Sequence, residues 1–534
     1  MQHPEAVTTT EPALHKPGAG TLLRVRALWA LIGLASASVT FGVAELLSVL
    51  AGPSSAPLIA VSDATVALAP GWLANWAKTT LGSADKPFLL IGAGVVIALL
   101  SLGCGLQARR HTRSAQLAAL ALGAVAALAA GTRADATRLA VLPSVVGALA
   151  GALALGALAE RLRTAQPLVG RAESDAGASP VERRAFLTAT AVALGTGTAT
   201  GGAGWLIRGA SRGVDASRAA LKLPAAVAAN ALPAGVDLGI PGVGPFRVPN
   251  PDFYRIDTAL VVPLVTTKEW SLRIHGLVDR EVHLDFQTLI ASPLVERDVT
   301  LCCVSNEVGG DLIGNARWRG LPIAPLLAQA GPHSNADMVL STSIDGWTAS
   351  TPLQALTDGR DALLAVAMNG EPLPVEHGFP VRMVVPGLYG YVSATKWVVD
   401  LEVTRFDLKR AYWTSRGWSD LGPIKTQSRI DVPMSGTTVK PGVIAIAGVA
   451  WAQHRGIKAV EIRINQGPWR RAELAAEASI DTWRQWVYRW TATPGRYGIE
   501  VRATDGRGVV QTPEVAPPEP DGATGWHLID VGVR

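Results

Sequence analysis

The chain has 534 residues, 49% of them hydrophobic and 17% charged, with 48 Lys and Arg against 43 Asp and Glu for a formal net charge of +5. That length is too great for one core and predicts several domains, and a mean hydropathy of +0.26 is too apolar for an average soluble protein. With no basic run interleaved with aromatics there is no nucleic-acid footprint, and three cysteines cannot make a disulfide framework.

The apolar excess lies almost entirely before residue 210. A helix needs roughly 20 apolar residues to cross a bilayer, because only a helix satisfies its own backbone in hydrocarbon. Five runs approach that length, at about 27 to 50, 87 to 107, 115 to 131, 138 to 158 and 186 to 207. Arg24 and Arg26, "ARRHTR" at 108 to 113 and the basic stretch before the fifth run all fall on the cytoplasmic side if five crossings carry the chain from inside to outside. Everything after 207 is then extracytoplasmic, and the loops at 51 to 86 and 132 to 137 are external, with Trp72 and Trp76 suited to an interface. Arg183 and Arg184 fit both a flank of the fifth span and an internal twin-arginine export signal. Gly197 and Gly201 form a small-xxx-small pair suited to helix packing. Glu45, inside the first run, is either a functional carboxylate or one that snorkels to the interface. None of the nine histidines falls in a run, so bis-histidine haem has no ligands there.

Residues 208 to 244 are rich in Ala, Pro and Gly without a sustained period and read as a linker. From 245 to 428, short strand-like runs such as "WSLRIHGLV", "DVTLCCVS" and "FPVRMVVPG" alternate with helical pieces such as "LPIAPLLAQAG", which predicts an α+β domain with a mixed sheet. From 429 to 534, "GVIAIAGVAW", "WRQWVYRWTA", "YGIEVRATDGRG" and "WHLIDVGV" alternate with period two, predicting an all-β, Ig-like sandwich. The expected order is thus a transmembrane anchor (1–207), a linker (208–244), an α+β domain (245–428) and a sandwich (429–534).

The adjacent pair Cys302 and Cys303 in "TLCCVSNEVGG" is open to three readings from the residues alone: core fillers, a redox pair, or a ligand and its neighbour. The order of "FYRID" (253 to 257), "TLCCVSN" (300 to 306), "ARWRGLPI" (316 to 323), "MNGEPLPVEHGFPVRMVVPG" (368 to 387), "SATKW" (393 to 397), "GPW", "RATDGRG" and "GWHLIDV" resembles the sulfite oxidase-like molybdenum-cofactor oxidoreductases over about 250 to 534. The resemblance implies molybdopterin as cofactor, with Cys303 as the protein thiolate on the metal. Soft thiolate donors suit such a metal, and in an extended segment Cys302 then faces the core. It implies cofactor contacts from Tyr254, Arg255, Asp257, Asp345, His377, Arg382, Ala394, Thr395 and Lys396. Arg382 and Lys396 are the natural partners of a phosphate, while Asp345 before Gly346 also fits an ordinary turn.

The resemblance places Arg455, Arg255 and Trp418 beside Cys303 in the catalytic pocket, Trp418 standing where the family has a tyrosine. Glu307 and Val308 stand where an arginine is expected. A carboxylate in place of a cation disfavours a doubly charged oxyanion, so a neutral or cationic substrate such as a sulfoxide stands beside sulfite. The implied enzyme exchanges an oxygen atom with a small donor or acceptor and its electrons with a separate carrier, quinone or cytochrome, because no haem-attachment, flavin or iron–sulfur motif occurs in the chain. A homodimer through the sandwich is the family's arrangement, and the residues leave the oligomeric state open. The contrasting reading is a cofactor-free scaffold that displays the sandwich.

Overall fold

Helices made of small apolar residues associate in lipid through close backbone approach rather than through a hydrophobic drive. The computed structural model divides into one unit of such helices, Met1–Ala210, and a second, Ser211–Arg534, dominated by strands. It describes residues 19–534 apart from 71, 72, 74, 75, 78, 79, 81–84, 134, 135, 166–179, 210, 211 and 230; Trp72 and much of the basic stretch before the fifth run thus lie outside the described residues.

The described helices of the first unit are α1 (Ala19–Ala51), α2 (Pro57–Leu68), α3 (Asp85–Ala108), α4 (Thr112–Gly131), α5 (Leu142–Ala165) and α6 (Pro180–Gly209). Among the described residues four segments are long and apolar enough to cross a membrane: Val25–Ala51, Lys86–Ala108, Thr112–Gly131 and Leu142–Thr164. They coincide with the first four expected runs. The fifth run lies in α6, together with Arg183 and Arg184, and α6 is not among the four; its middle, "TATAVALGTGTATGG", carries too many threonines and glycines. α2 occupies part of the expected loop at 51 to 86. Proline opens its first turn, where the missing N–H costs nothing, and 12 residues are too few to cross.

The packing contacts set the direction of each helix. Gly33 of α1 lies against the Ser101 carbonyl of α3, and Gly105 lies against the Trp29 carbonyl. Ser36 Oγ donates to the Gly151 carbonyl of α5 at 2.8 Å, while Gly147 lies against Thr40 and Ala44. In both pairs the residue numbers run in opposite senses, so α3 and α5 are antiparallel to α1. α4 is antiparallel to α5, with Gln116 Nε2 donating to the Ala152 carbonyl at 2.9 Å and Gly123 lying against Ala148. α6 differs. Ser38 Oγ donates to the Leu194 carbonyl at 3.3 Å, and Gly42 meets Gly197 and Thr200 with Gly201 beside them, so α6 runs parallel to α1. Gly197 and Gly201 therefore form the packing surface their spacing suggested.

In the second unit a six-stranded sheet runs in the order Ala228–Ala229, Val295–Cys302, Ile313–Pro322, Leu363–Met368, Arg382–Val384, with Glu371–Pro372 paired to Leu363–Met368. A five-stranded sheet runs Val282–Asp285, Ser271–Gly276, Val398–Thr404, Met338–Ser343, Thr348–Pro352. Both are mixed: Ala228 pairs in parallel with Val295, and Asp400 with Arg273. Leu363–Met368 is buried along its whole length, as a strand covered on both faces must be.

The stretch 208 to 244 is not an empty connector. It holds the helix Arg212–Ala220 and the parallel strand Ala228–Ala229. Val214 is buried, and Arg218 Nε donates to the Leu373 carbonyl at 2.9 Å. Alanine and proline gave no period to read, and the docking depends on partners distant in the chain, such as Thr267, Val295 and Leu373.

The C-terminal part forms a four-stranded and a five-stranded sheet that share one core. Ile446 and Trp486 come from one, and Val460, Ile462, Ile499, Val501 and Ile529 from the other. Gly495–Asp505 buries every second residue from Ile499 onward, the period-two pattern of a half-buried strand.

Candidate active site

Cys303 is the first residue beyond the strand Val295–Cys302. Its N–H donates to the Leu312 carbonyl at 2.9 Å, and the Asn306 N–H returns to the Cys303 carbonyl at 3.1 Å. Asn306 Oδ1 accepts from the Leu312 N–H at 2.8 Å. These bonds close a loop over residues 303–312 and leave the Cys303 side chain half-buried. The C-terminal sheets hold the loop from outside. Arg429 Nη1 donates to the Gly310 carbonyl at 2.8 Å, and Gly309, at φ +79°, lies so close to the His527 ring that any Cβ would enter it. Cys302 faces the other way. It is 1% exposed within the main core, no disulfide joins it to Cys303, and burial, with Cys303 beside it, pushes its thiol well above the ordinary value.

Tyr254 lies within electrostatic reach of both sulfurs and of Arg382; burial first, then the two cysteines, push its phenol upward. Phe253 stacks on Tyr254 at 5.2 Å and meets the rings of Trp318 and His377 edge-on at 5.8 and 5.7 Å. Arg382 is 4% exposed, sits 5.0 Å over the Trp318 ring and donates from Nη1 to the His377 carbonyl at 3.2 Å. No carboxylate pairs with it among the described residues. Burial brings its value down to about 10. His377 is held neutral, down to about 4, by burial and then by the charges of Arg382 and Lys396. Lys396 Nζ donates to Asp257 Oδ2 at 2.9 Å and to the Glu376 carbonyl at 3.1 Å; burial lowers it to about 8, against the pull of Asp257. Arg255 Nε donates to the same Asp257 oxygen at 2.9 Å. Ala394 and Thr395 join the cluster through backbone: the Ala394 carbonyl accepts from Arg382 Nη2 at 3.4 Å and the Thr395 carbonyl from the Met383 N–H at 2.8 Å.

Nine of the expected residues are thus drawn together: Tyr254, Arg255, Asp257, Cys303, His377, Arg382, Ala394, Thr395 and Lys396. The other three make their contacts elsewhere. Asp345 Oδ1 accepts from the Trp347 N–H at 3.1 Å, the turn its position before Gly346 suggested. Arg455 Nε donates to Asp505 Oδ2 at 2.9 Å and Nη2 to the Ile424 carbonyl at 2.9 Å. Trp418 packs on Tyr391 and Trp413 at 5.9 and 6.2 Å, and its buried indole N–H has no hydrogen-bond partner among the described residues. Trp318 and Asn306 were not singled out beforehand, although both lie in the quoted motifs; a tryptophan within "ARWRGL" and an asparagine three residues after Cys303 were the available signals.

Arg382 is a buried cation held only by backbone carbonyls and the face of Trp318, a setting in which an anion from outside the chain would bind favourably. Together with a half-buried thiol at the mouth of the same cluster, Arg382 fits a phosphate-bearing cofactor whose metal takes a sulfur ligand.

Comparison with known proteins agrees. The oxidoreductase molybdopterin binding domain family matches residues 259–413. Mitochondrial sulfite oxidase of Rattus norvegicus is 31% identical over 322 residues, covering 51% of this chain and 58% of that protein, so the match spans little more than half of the relative's length. The uncharacterised oxidoreductase YuiH of Bacillus subtilis (strain 168) is 35% identical over 150 residues, 28% of this chain and 72% of that protein. Among solved structures, the sulfane dehydrogenase SoxCD from Paracoccus pantotrophus is matched at 22% identity and TM-score 0.47, over 54% of this chain and 81% of that one. These matches favour the cofactor-bearing reading over the cofactor-free scaffold: the chain belongs to the sulfite oxidase-like molybdopterin oxidoreductases.

Proposed function

We propose that the protein is a membrane-anchored oxidoreductase that moves an oxygen atom to or from a small substrate and exchanges electrons with a separate carrier. The observation that carries this reading is the buried Arg382, with no carboxylate partner among the described residues, in one cluster with Tyr254 and Cys303. When bound, the molybdenum cofactor supplies the two-electron redox centre. The chain supplies the rest. Cys303 would present its thiolate to the metal, and Arg382 and Lys396 would hold the cofactor's phosphate, one as a planar fork and the other as a point charge. His377, kept neutral, can donate one hydrogen bond without adding charge.

Glu307 bears on the choice of substrate. It is exposed on the Cys303 loop, where the family pattern has an arginine, and it repels a dianion such as sulfite more than a neutral sulfoxide. With molybdenum-loaded full-chain protein, Glu307→Arg is expected to raise kcat/KM for sulfite relative to a neutral sulfoxide by about threefold or more at low salt, the scale of one charge reversal at an exposed position, and by less as salt is added. An unchanged ratio would remove Glu307 from the account of selectivity.

The parallel course of α1 and α6 supports five crossings and an extracytoplasmic catalytic unit. If α1 leaves the cytoplasm, α6 does too, since Ser38 meets Leu194 and Gly42 meets Gly201 in the same direction. We read the two C-terminal sheets as the Ig-like sandwich. Alkaline phosphatase fused after residue 220 should be active, and fused after residue 165 inactive. An inactive fusion at 220 would put the catalytic unit in the cytoplasm.

A further inference from the structure

The loop that follows Cys303 meets the C-terminal sheets at three consecutive residues. Val308 lies beside Gly525, its Cγ2 3.6 Å from where a side chain there would begin. Gly309, at φ +79°, sits against the His527 ring, and only glycine allows so close a backbone in that conformation. Gly310 gives its carbonyl to Arg429 Nη1 at 2.8 Å. The loop's own bonds join Cys303, Asn306 and Leu312 at its base, so the tip at 308 to 310 is held by the sheets.

Both holding side chains are themselves fixed from behind. His527 opens the strand His527–Val533 of the five-stranded sheet, and Arg429 lies in Gln427–Val432 of the four-stranded one. His527 Nδ1 accepts from the Ile430 N–H at 3.0 Å, a bond that ties the two sheets together and orients the ring. Burial, and then the charge of Arg429, lower its value from the ordinary histidine range, so the ring is neutral and keeps that acceptor. Arg429 Nε donates to Asp431 Oδ1 at 2.6 Å, and the Gly244 N–H donates to the other oxygen of that carboxylate at 3.2 Å. Arg429 also lies within electrostatic reach of Cys302, the neighbour of the thiol in question.

We propose that His527 and Arg429 are positioning residues: by holding Gly309 and Gly310 they set where the loop presents Cys303 Sγ to the metal. The C-terminal sheets then tune the redox centre without contributing a ligand to it, as outer-shell partners of a metal site do. This rests on the reading of Cys303 as the metal's thiolate ligand, and the reactivity of the thiol in the ligand-free chain tests the positioning apart from that reading.

In ligand-free full-chain protein, alkylation of Cys303 by iodoacetamide, located by fragment mass spectrometry, should be at least about tenfold faster in His527→Ala and in Arg429→Met, the scale of one lost charge-assisted hydrogen bond. Arg429→Lys, which keeps the charge and a donor, should stay within about threefold of the parent. In molybdenum-loaded protein the first two variants should shift the thiolate-to-metal absorption and lower cofactor retention about tenfold. Ile462→Ala is the control: Ile462 is 0% exposed in the core the two sheets share, so its loss loosens the sheets and should leave both readouts as in the parent. Alkylation and absorption unchanged in both His527→Ala and Arg429→Met would overturn the inference. So would an equal change in Ile462→Ala, since general loosening rather than the two contacts would then move the thiol. A parent without the absorption would instead remove Cys303 from the metal, while the alkylation rates still decide the positioning.

Discussion

Cys303→Ser is expected to leave the protein folded while its turnover falls by at least about 100-fold, because loss of even an outer-sphere partner of a metal ligand costs about 10–100-fold. The variant should also lose the thiolate-to-metal absorption of the loaded enzyme, a readout independent of substrate. Cys303 is half-buried on a loop and its side chain contributes little to the core. Cys302→Ser should give the mirror image. A hydroxyl there would stand in a site 1% exposed within the main hydrophobic core, costing about 1–3 kcal/mol of stability while the absorption persists. Chemical denaturation and optical spectra of the two variants together decide the assignment. Absorption lost in Cys302→Ser and kept in Cys303→Ser would reverse it.

Arg382→Met carries the second large effect, and its sign separates a cofactor role from a structural one. Burial takes the guanidinium well below its ordinary value, to about 10, and each pKa unit corresponds to about 1.4 kcal/mol, so the ligand-free chain carries a penalty of about 3 kcal/mol. At neutral pH, below both values, that penalty is present in full and begins to be relieved only as pH rises through about 10. The ligand-free variant should therefore be as stable as the parent or more so, by up to about 3 kcal/mol. Cofactor retention should move the opposite way, falling about 100-fold as charge-assisted hydrogen bonds worth about 1.5–3 kcal/mol each are lost. Urea midpoints of the ligand-free proteins and molybdenum content after dialysis measure the two. A ligand-free variant several kcal/mol less stable would make Arg382 a structural arginine, held for its bonds to the His377 and Ala394 carbonyls.

Most residues of the cluster were legible beforehand because their chemistry sits in local motifs. Arg382 lies between Val381 and Met383, so an exposed strand charge was already a poor account of it, and the structure buries it. Arg455 and Trp418 were placed by resemblance alone, and their contacts lie with Asp505 and with an aromatic group around Tyr391. A motif names a residue type, and what its side chain meets depends on partners far away in the chain.

The same division runs through the whole protein. Apolar runs and period-two alternation determined where the helices and C-terminal strands would form, since both follow from short-range backbone geometry and burial. Tertiary contacts alone decided that α6 runs beside α1 in the same direction, that Trp318 lies under Arg382, and that His527 and Arg429 fix the loop bearing Cys303. Each of these joins residues at least 60 positions apart in the chain, and only the free energy of the completed packing selects such a pairing from the many that local pattern permits.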